Sequence, residues 1–438
     1  PADWTLNDSD VVWPDTTGLI RDYAAALEQQ LDAVDPDTRL EALVRPGTKV
    51  AIVVDDPSRW TPVRDALAII LRRIHGAGVR PEDVSISVGV GRHHAVDDAA
   101  MRRRVGDEVA ASYRCYSPPV DDRSAYADLG KTPEGVPVLV FRPVAEADLR
   151  ILIGSVLPHL QAGFGGGYKL IFPGTSHRDT LGALHRQGLG RGSDAGRLLG
   201  SSAADNPMRR AIQSAAGLLG PCFSISHLVG APGEILQIAV GAPSVVQEQL
   251  SPEARRRFQA RFAGPADIVV AGNHPWPGDP MQSFKVLLQH REACREGGVL
   301  IGLFWTDPEE IDRSFPLGFL RAIAASGAPG GWGIRHLLPL AERFAAKVGS
   351  RSEFMIRWAR ELVVDRTVLV LAPPLRDRIG PRLGPVQLFN DQESLWRSAR
   401  KALGPLLGSG ETPTLRIFPQ GGLTFAPRGF TGHASHEG

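Results

Sequence analysis

Two β-branched runs, Val50 to Asp55 and Val84 to Val90, flank a stretch whose apolar residues Ala66, Leu67, Ile69, Ile70 and Ile74 have helical spacing. Pro62 stands where that helix would start and Gly76 where it would stop. A strand, helix and strand of these lengths form a right-handed crossover, which commits the chain to parallel pairing. Further runs at Leu149 to Val156, Asp267 to Val270, Val299 to Phe304, Thr367 to Leu371 and Leu415 to Phe418 repeat the pattern. The expected fold class is α/β, with two domains built on mainly parallel sheets and an active-site cleft between them. A chain of 438 residues is long enough for two cores. Ala263, Gly264 and Pro265 read as the linker, which divides the chain into 1–264, 265–408 and a C-terminal segment 409–438 whose strand can return to the N-terminal domain. The polar tail from Gly429 is expected to fray.

The 49 basic and 48 acidic residues nearly cancel, so the charge balance points to neither nucleic acid nor an anionic membrane as partner. The arginine triplets Arg102 to Arg104 and Arg255 to Arg257 read as solvated helix faces. Cys115, Cys222 and Cys294 form no CxxC pair, which argues against a disulfide framework, a zinc–thiolate site or an iron–sulfur cluster. A cytoplasmic protein without signal peptide or membrane span is expected. Only six basic residues are lysine: Lys49, Lys131, Lys169, Lys285, Lys347 and Lys401. Lysines that persist against such a bias are enriched where a neutral amine is needed as nucleophile.

Four clusters follow expected strands, where open α/β sheets place their ligands. The first, Asp56, Pro57, Ser58 and Arg59, sets a carboxylate and a guanidinium three apart before a helix. A local turn-stabilising ion pair is its plain alternative. The second, Gly91, Arg92, His93 and His94, offers an acid or base beside glycines, or else a surface loop. The third runs from Pro158 and His159 through Gly165, Gly166, Gly167, Tyr168 and Lys169 to Gly174. It is not a Walker A loop, because Tyr168 separates Gly167 from Lys169 and Leu170 replaces the hydroxyl residue. Its glycines can still cradle a phosphate. Ser176 and Asp179 then have capping-box spacing, so a helix is expected to begin near His177 and to carry His185. The fourth cluster, Asp279 to Lys285, sets Gln282 and Lys285 three apart on an expected helix, able to bind a carboxylate or simply to face solvent.

Together these clusters resemble the nickel-dependent lactate racemase family of 2-hydroxyacid racemases and epimerases. The resemblance rests on Asp56 to Arg59, the Gly91, Arg92, His93 loop, the segment PHLQAGFGGGYKLIFPG, His185, Asn206 with Pro207, and Gln282 with Lys285. It implies a nickel-pincer nucleotide, pyridinium-3-thioamide-5-thiocarboxylic acid mononucleotide with nickel held through sulfur, carbon and sulfur. By similarity, Lys169 attaches the cofactor, His185 ligates nickel, and Asp56 with Gly165, Gly166 and Gly167 lies near the nucleotide. His93 and His159 are the paired acid/base residues, and Arg59, Gln282 and Lys285 hold the substrate carboxylate. The reaction implied is reversible hydride transfer at C2 of a small 2-hydroxyacid, a carbon too weakly acidic for easy proton abstraction. The first domain then carries cofactor and catalysis, and the second closes on substrate by hinge motion. Cofactor-synthesis enzymes are implied as partners.

The sequence departs from the family pattern at His94, at Met281 and loosely over Phe354 to Arg360. With Arg92, Arg335 and Arg357 as extra cations, a second substrate carboxylate is accommodated, so malate is the first expected substrate. Two other readings stay open: a zinc hydrolase using His93, His159 and His185, and a noncatalytic carrier of the nucleotide.

Overall fold

The computed structural model describes residues 10–91, 95–189, 198–276, 278, 280–314, 361–363, 365–404 and 412–427. The chain forms two compact units, one of Thr16–Gly190 with Gly200–Arg257, the other of Phe258–Gly438 with Pro1–Asp15 and Arg191–Leu199.

In the first unit the strands are β1 (Val50–Asp55), β2 (Val84–Gly89), β3 (Arg114–Tyr116), β4 (Tyr126–Lys131), β5 (Pro137–Phe141), β6 (Leu149–Ser155), β7 (Pro158–His159), β8 (Gly163–Phe164), β9 (Cys222–Val229) and β10 (Ile235–Gly241). Six of them form a sheet in the order β10-β9-β6-β1-β2-β3, parallel except where β10 meets β9. Alternate residues of β1 feed separate cores, as a sheet covered on both faces requires. Val50, Ile52 and Val54 pack with Leu67, Ile70 and Ile74 of helix α2 (Val63–Gly76), following α1 (Tyr23–Asp32). Ala51 and Val53 pack instead with Leu184, Met208 and Ile212.

The second unit repeats the plan. Its strands β11 (Ala266–Gly272), β12 (Cys294–Leu303), β13 (Thr367–Leu371), β14 (Arg382–Leu383), β15 (Val386–Phe389) and β16 (Leu415–Phe418) form a sheet in the order β14-β15-β13-β12-β11-β16. Only the β14–β15 pairing is antiparallel. β16 runs parallel to β11, so the last strand belongs to this sheet and does not return to the first unit. No described helix is long and apolar enough to cross a membrane. One expectation, the fraying of the tail from Gly429, lies outside the described residues.

Candidate active site

Three neighbouring parallel strands, β6, β1 and β2, end at the segments singled out by sequence. β1 runs into Asp56 and β2 into Gly91, whose N–H donates to Gly174 O at 2.9 Å. β6 runs into the segment that holds His159 and the glycine loop. Gly89 permits this convergence, since a Cβ there would lie 2.9 Å from Leu170 O. Arg92, His93 and His94 fall outside the described residues.

Asp56 is buried, and its Oδ1 accepts from Ser58 N at 2.9 Å and from the Ser58 hydroxyl. Its ion pair with Arg59 spans 3.9 Å, so the turn rests on the hydrogen bonds to Ser58 more than on charge attraction. A second arginine holds this turn from behind. Arg104, on α3 (Asp98–Val105), donates to the carbonyls of Asp55 at 2.9 Å, Arg59 at 3.0 Å and Thr61 at 3.3 Å, and pairs with the Asp55 carboxylate. The arginine triplet is therefore not uniformly solvated. Arg102 and Arg103 are exposed, but the Arg104 side chain retains 8% of its exposure because backbone carbonyls and Asp55 satisfy its donors. Burial pushes the Asp55 carboxyl upward, opposed by Arg104 and by the Thr61 hydroxyl at 2.6 Å.

After β6 the chain makes a short hairpin in which His159 pairs with Gly163. His159 Nδ1 accepts from the N–H groups of Gln161 at 3.2 Å and Ala162 at 3.0 Å. Neutral His159 must then carry its proton on Nε2. Gly166 and Gly167 follow with φ of 75° and 58°, a region glycine enters without a Cβ clash, and lead into the short 3-10 helix Gly167–Leu170 that carries Lys169. A Cβ on Gly166 would stand 2.9 Å from Val156 Cγ2, so the loop lies against the end of β6.

This loop has a clamp that the sequence reading missed. Arg209, on α5 (Pro207–Ala216) after α4 (Arg178–Gln187), donates to the carbonyls of Ala162 at 3.4 Å, Gly165 at 3.2 Å and Gly166 at 3.3 Å, and to that of Phe164. It is fully buried, and burial pulls its guanidinium down to about 10, so it stays charged at neutral pH. Asn206 caps the same helix by accepting from Arg209 N at 2.9 Å, and donates to Gln161 O at 3.0 Å. One signal was available: helical spacing sets Arg209 in a stripe with Ile212 and Ala216, where an arginine needs buried acceptors.

α4 begins where expected but with a different cap. His177, not Ser176, is the N-cap and accepts from Asp179 N at 3.3 Å, while Ser176 Oγ donates to Ile171 O at 2.7 Å. Ser176 is thereby committed to the loop that precedes the helix. His185 lies in the last turn, with Nδ1 2.7 Å from Leu181 O, and its own carbonyl accepts from Gln161 Nε2 at 3.1 Å. Gln161 thus ties the His159 hairpin to the His185 helix. Because Leu181 O can only accept, Nδ1 of the neutral His185 ring bears the proton and Nε2 the lone pair.

In the second unit, Gln282 and Lys285 lie one turn apart on α7 (Pro280–His290), after α6 (Pro243–Phe258) of the chain's first unit. Gln282 is buried and Lys285 half-buried. The helix is anchored between them by Ser283, which accepts from Asn273 Nδ2 at 2.8 Å. The Met281 side chain, Arg335, Phe354 to Arg360 and Arg357 lie outside the described residues. Among the described residues, no group of three or more His, Cys, Asp or Glu could hold a metal ion.

Residues 5–196 match the model of the lactate racemase N-terminal domain. This range includes Asp56, Arg59, His93, His159, the glycine loop, Lys169 and His185. The lactate racemase of Thermoanaerobacterium thermosaccharolyticum is 25% identical over 265 residues, 60% of this chain and 61% of that protein. That of Lactiplantibacillus plantarum is 24% identical over 278 residues, 63% of this chain and 64% of that protein. The similarity therefore spans less than two thirds of either relative's length. The structure of the T. thermosaccharolyticum lactate racemase apoprotein matches with a TM-score of 0.78 at 18% identity, over 97% of this chain and 96% of that one. A Thermotoga maritima protein matches with a TM-score of 0.65 at 16% identity, over 89% and 95%. At these identities the two structures establish a shared fold. The N-terminal part of the chain is thus similar to the lactate racemase N-terminal domain, and the chain shares the fold of the lactate racemase apoprotein.

Proposed function

We propose that the chain is a racemase or epimerase of 2-hydroxyacids, with malate as the first substrate to test, and that it works with a nickel-pincer nucleotide. The observation that carries this reading is the opposite hydrogen bonding of two histidines tied together through Gln161: His185 Nδ1 meets a carbonyl, which leaves the lone pair of its neutral ring on Nε2, and His159 Nδ1 meets two N–H groups, which puts the proton of its neutral ring on Nε2. The first is the state a metal ligand needs, and the second is that of a hydrogen-bond donor to a substrate oxygen. The residues present suit such a cofactor. Gly166 and Gly167 leave a backbone cradle that a Cβ would fill, the buried Gln247 beside Gly167 has an amide oxygen with no hydrogen-bond partner among the described residues, and Lys169 supplies the amine for attachment. Burial pushes the Cys222 and Cys294 thiols up to about 11 and about 12, which supports sulfur ligands arriving with the nucleotide rather than from the protein.

When bound, the cofactor supplies an electrophilic acceptor for the hydrogen on C2. Arg59 offers a guanidinium for the substrate carboxylate, and Gln282 and Lys285 are the carboxylate-binding candidates of the other unit. Nε2–H of His159 offers a hydrogen bond to the C2 oxygen, the proton that re-forms the alcohol has to come from an imidazolium, and His93 and His159 are the acid/base pair, one for each enantiomer.

Protein made alongside the cofactor-synthesis enzymes should contain nickel, show a mass adduct at Lys169 and racemise a member of a chiral 2-hydroxyacid panel. His159→Gln should abolish racemisation and keep the nickel. Nickel and adduct without turnover on any panel member would overturn the substrate assignment alone. Zinc with no adduct would return the chain to the hydrolase reading.

A further inference from the structure

Gln247, on the second turn of α6, is buried, with 5% of its surface exposed. Its Nε2 donates to Ser251 Oγ at 2.7 Å, one turn along the same helix. Its Oε1 is buried and has no hydrogen-bond partner among the described residues. That oxygen faces the glycine loop: a Cβ on Gly167 would stand 3.2 Å from it and 3.5 Å from Pro243 O. Folded proteins rarely leave a buried acceptor unpaired, because it forfeits its hydrogen bonds to water and gains none in return. An acceptor kept in that state beside a loop of positive-φ glycines is set aside for a donor that arrives with a ligand. Arg209, which holds the preceding carbonyls of the loop, spends its donors on Ala162, Phe164, Gly165 and Gly166 and leaves the Gly167 side of the turn to α6.

We propose that Gln247 is a further ligand-binding residue of the glycine-loop site, its amide oxygen accepting a hydrogen bond from an O–H or N–H group of the bound nucleotide. The proposal rests on the nucleotide reading of the loop and adds α6 to the elements that hold it. Gly167 then has a second function: it keeps the space between the loop backbone and Gln247 open for that donor.

The test is a calorimetric titration of the full-length apoprotein with nicotinic acid mononucleotide, a pyridinium mononucleotide, combined with thermal unfolding. Gln247→Met removes the acceptor at similar volume, so affinity should fall about tenfold while the Tm of the apoprotein holds or rises by about 2 °C. Gln247→Glu keeps an acceptor and should bind more tightly than the Met variant. A purely structural Gln247 gives the reverse pattern, a lower Tm with unchanged affinity, and overturns the proposal. Equal affinity of wild type and Gln247→Met overturns it while sparing the nucleotide reading, whereas a wild-type protein that does not bind the mononucleotide overturns both.

Discussion

The Nδ1 of His185 lies 2.7 Å from the carbonyl oxygen of Leu181, one turn earlier on the same helix, and this contact fixes which ring nitrogen keeps a lone pair. Nitrogen-15 spectra of histidine-labelled apoprotein at neutral pH should show a protonated Nδ1 and a bare Nε2 for His185, assigned by the signal lost in His185→Gln. His159 should show the opposite tautomer, since two backbone N–H groups point at its Nδ1. The same tautomer at both positions would remove the basis for giving them different roles. His185→Gln should also lower the nickel affinity of the loaded protein, by at least as much as losing a ligand's hydrogen-bond partner costs, about 10–100-fold.

Arg209 serves four backbone carbonyls with one planar fork, and no other side-chain geometry covers them. Arg209→Met should destabilise the protein by about 2–4 kcal/mol, because the carbonyls stay buried without their donor. Arg209→Lys should be only partly better, a point charge replacing the fork. Urea unfolding midpoints measure both, and a Met variant as stable as the parent would refute the clamp.

Two buried histidines make the fold acid-sensitive. His227 meets Gly154 O and the Tyr23 hydroxyl, and His290 meets Val286 O and the Thr424 hydroxyl; burial pulls each down to about 4. The unfolded chain binds these protons near the ordinary histidine value, so it holds more protons than the folded chain between the two pH values. Stability contributed by each neutral ring is therefore fully present above about pH 6.5 and is lost as pH falls towards 4, at most about 3 kcal/mol per histidine. Unfolding free energies across pH 4–7 should fall on acidification, and His227→Gln and His290→Gln should each flatten the slope. A pH-independent wild type across this window would contradict the burial argument.

Gly166 combines a positive φ of 75° with a Cβ position 2.9 Å from Val156 Cγ2 and 3.1 Å from Ser155 O. Gly130 has a φ of 99° but nothing within 4 Å of its Cβ position. Gly166→Ala should therefore deform the loop and lower the Lys169 adduct yield, beyond the backbone strain of about 1–2 kcal/mol that Gly130→Ala also incurs. Equal adduct yields in the two variants would show that the loop's closeness to β6 does not matter.

The amino-acid sequence alone determined the strands that are buried on both faces. Val50–Asp55 and Thr367–Leu371 occur as read, since a parallel strand between two helical layers must be a nearly continuous β-branched run, and the half-buried edge strand Leu415–Phe418 occurs as read too. It also determined the glycine loop and the helix with His185, because those signals are local. Tertiary structure decided the rest. β9 was not legible because Ser224, Ser226 and His227 make Cys222–Val229 look polar. Their cost of burial is offset by the Ser224–Ser226 bond and by the His227 contacts with Gly154 and Tyr23, all but the first long-range. Arg104 and Arg209 look like surface charges for a similar reason: their partners are backbone carbonyls, present at every residue and invisible in a sequence until folding brings particular ones within reach.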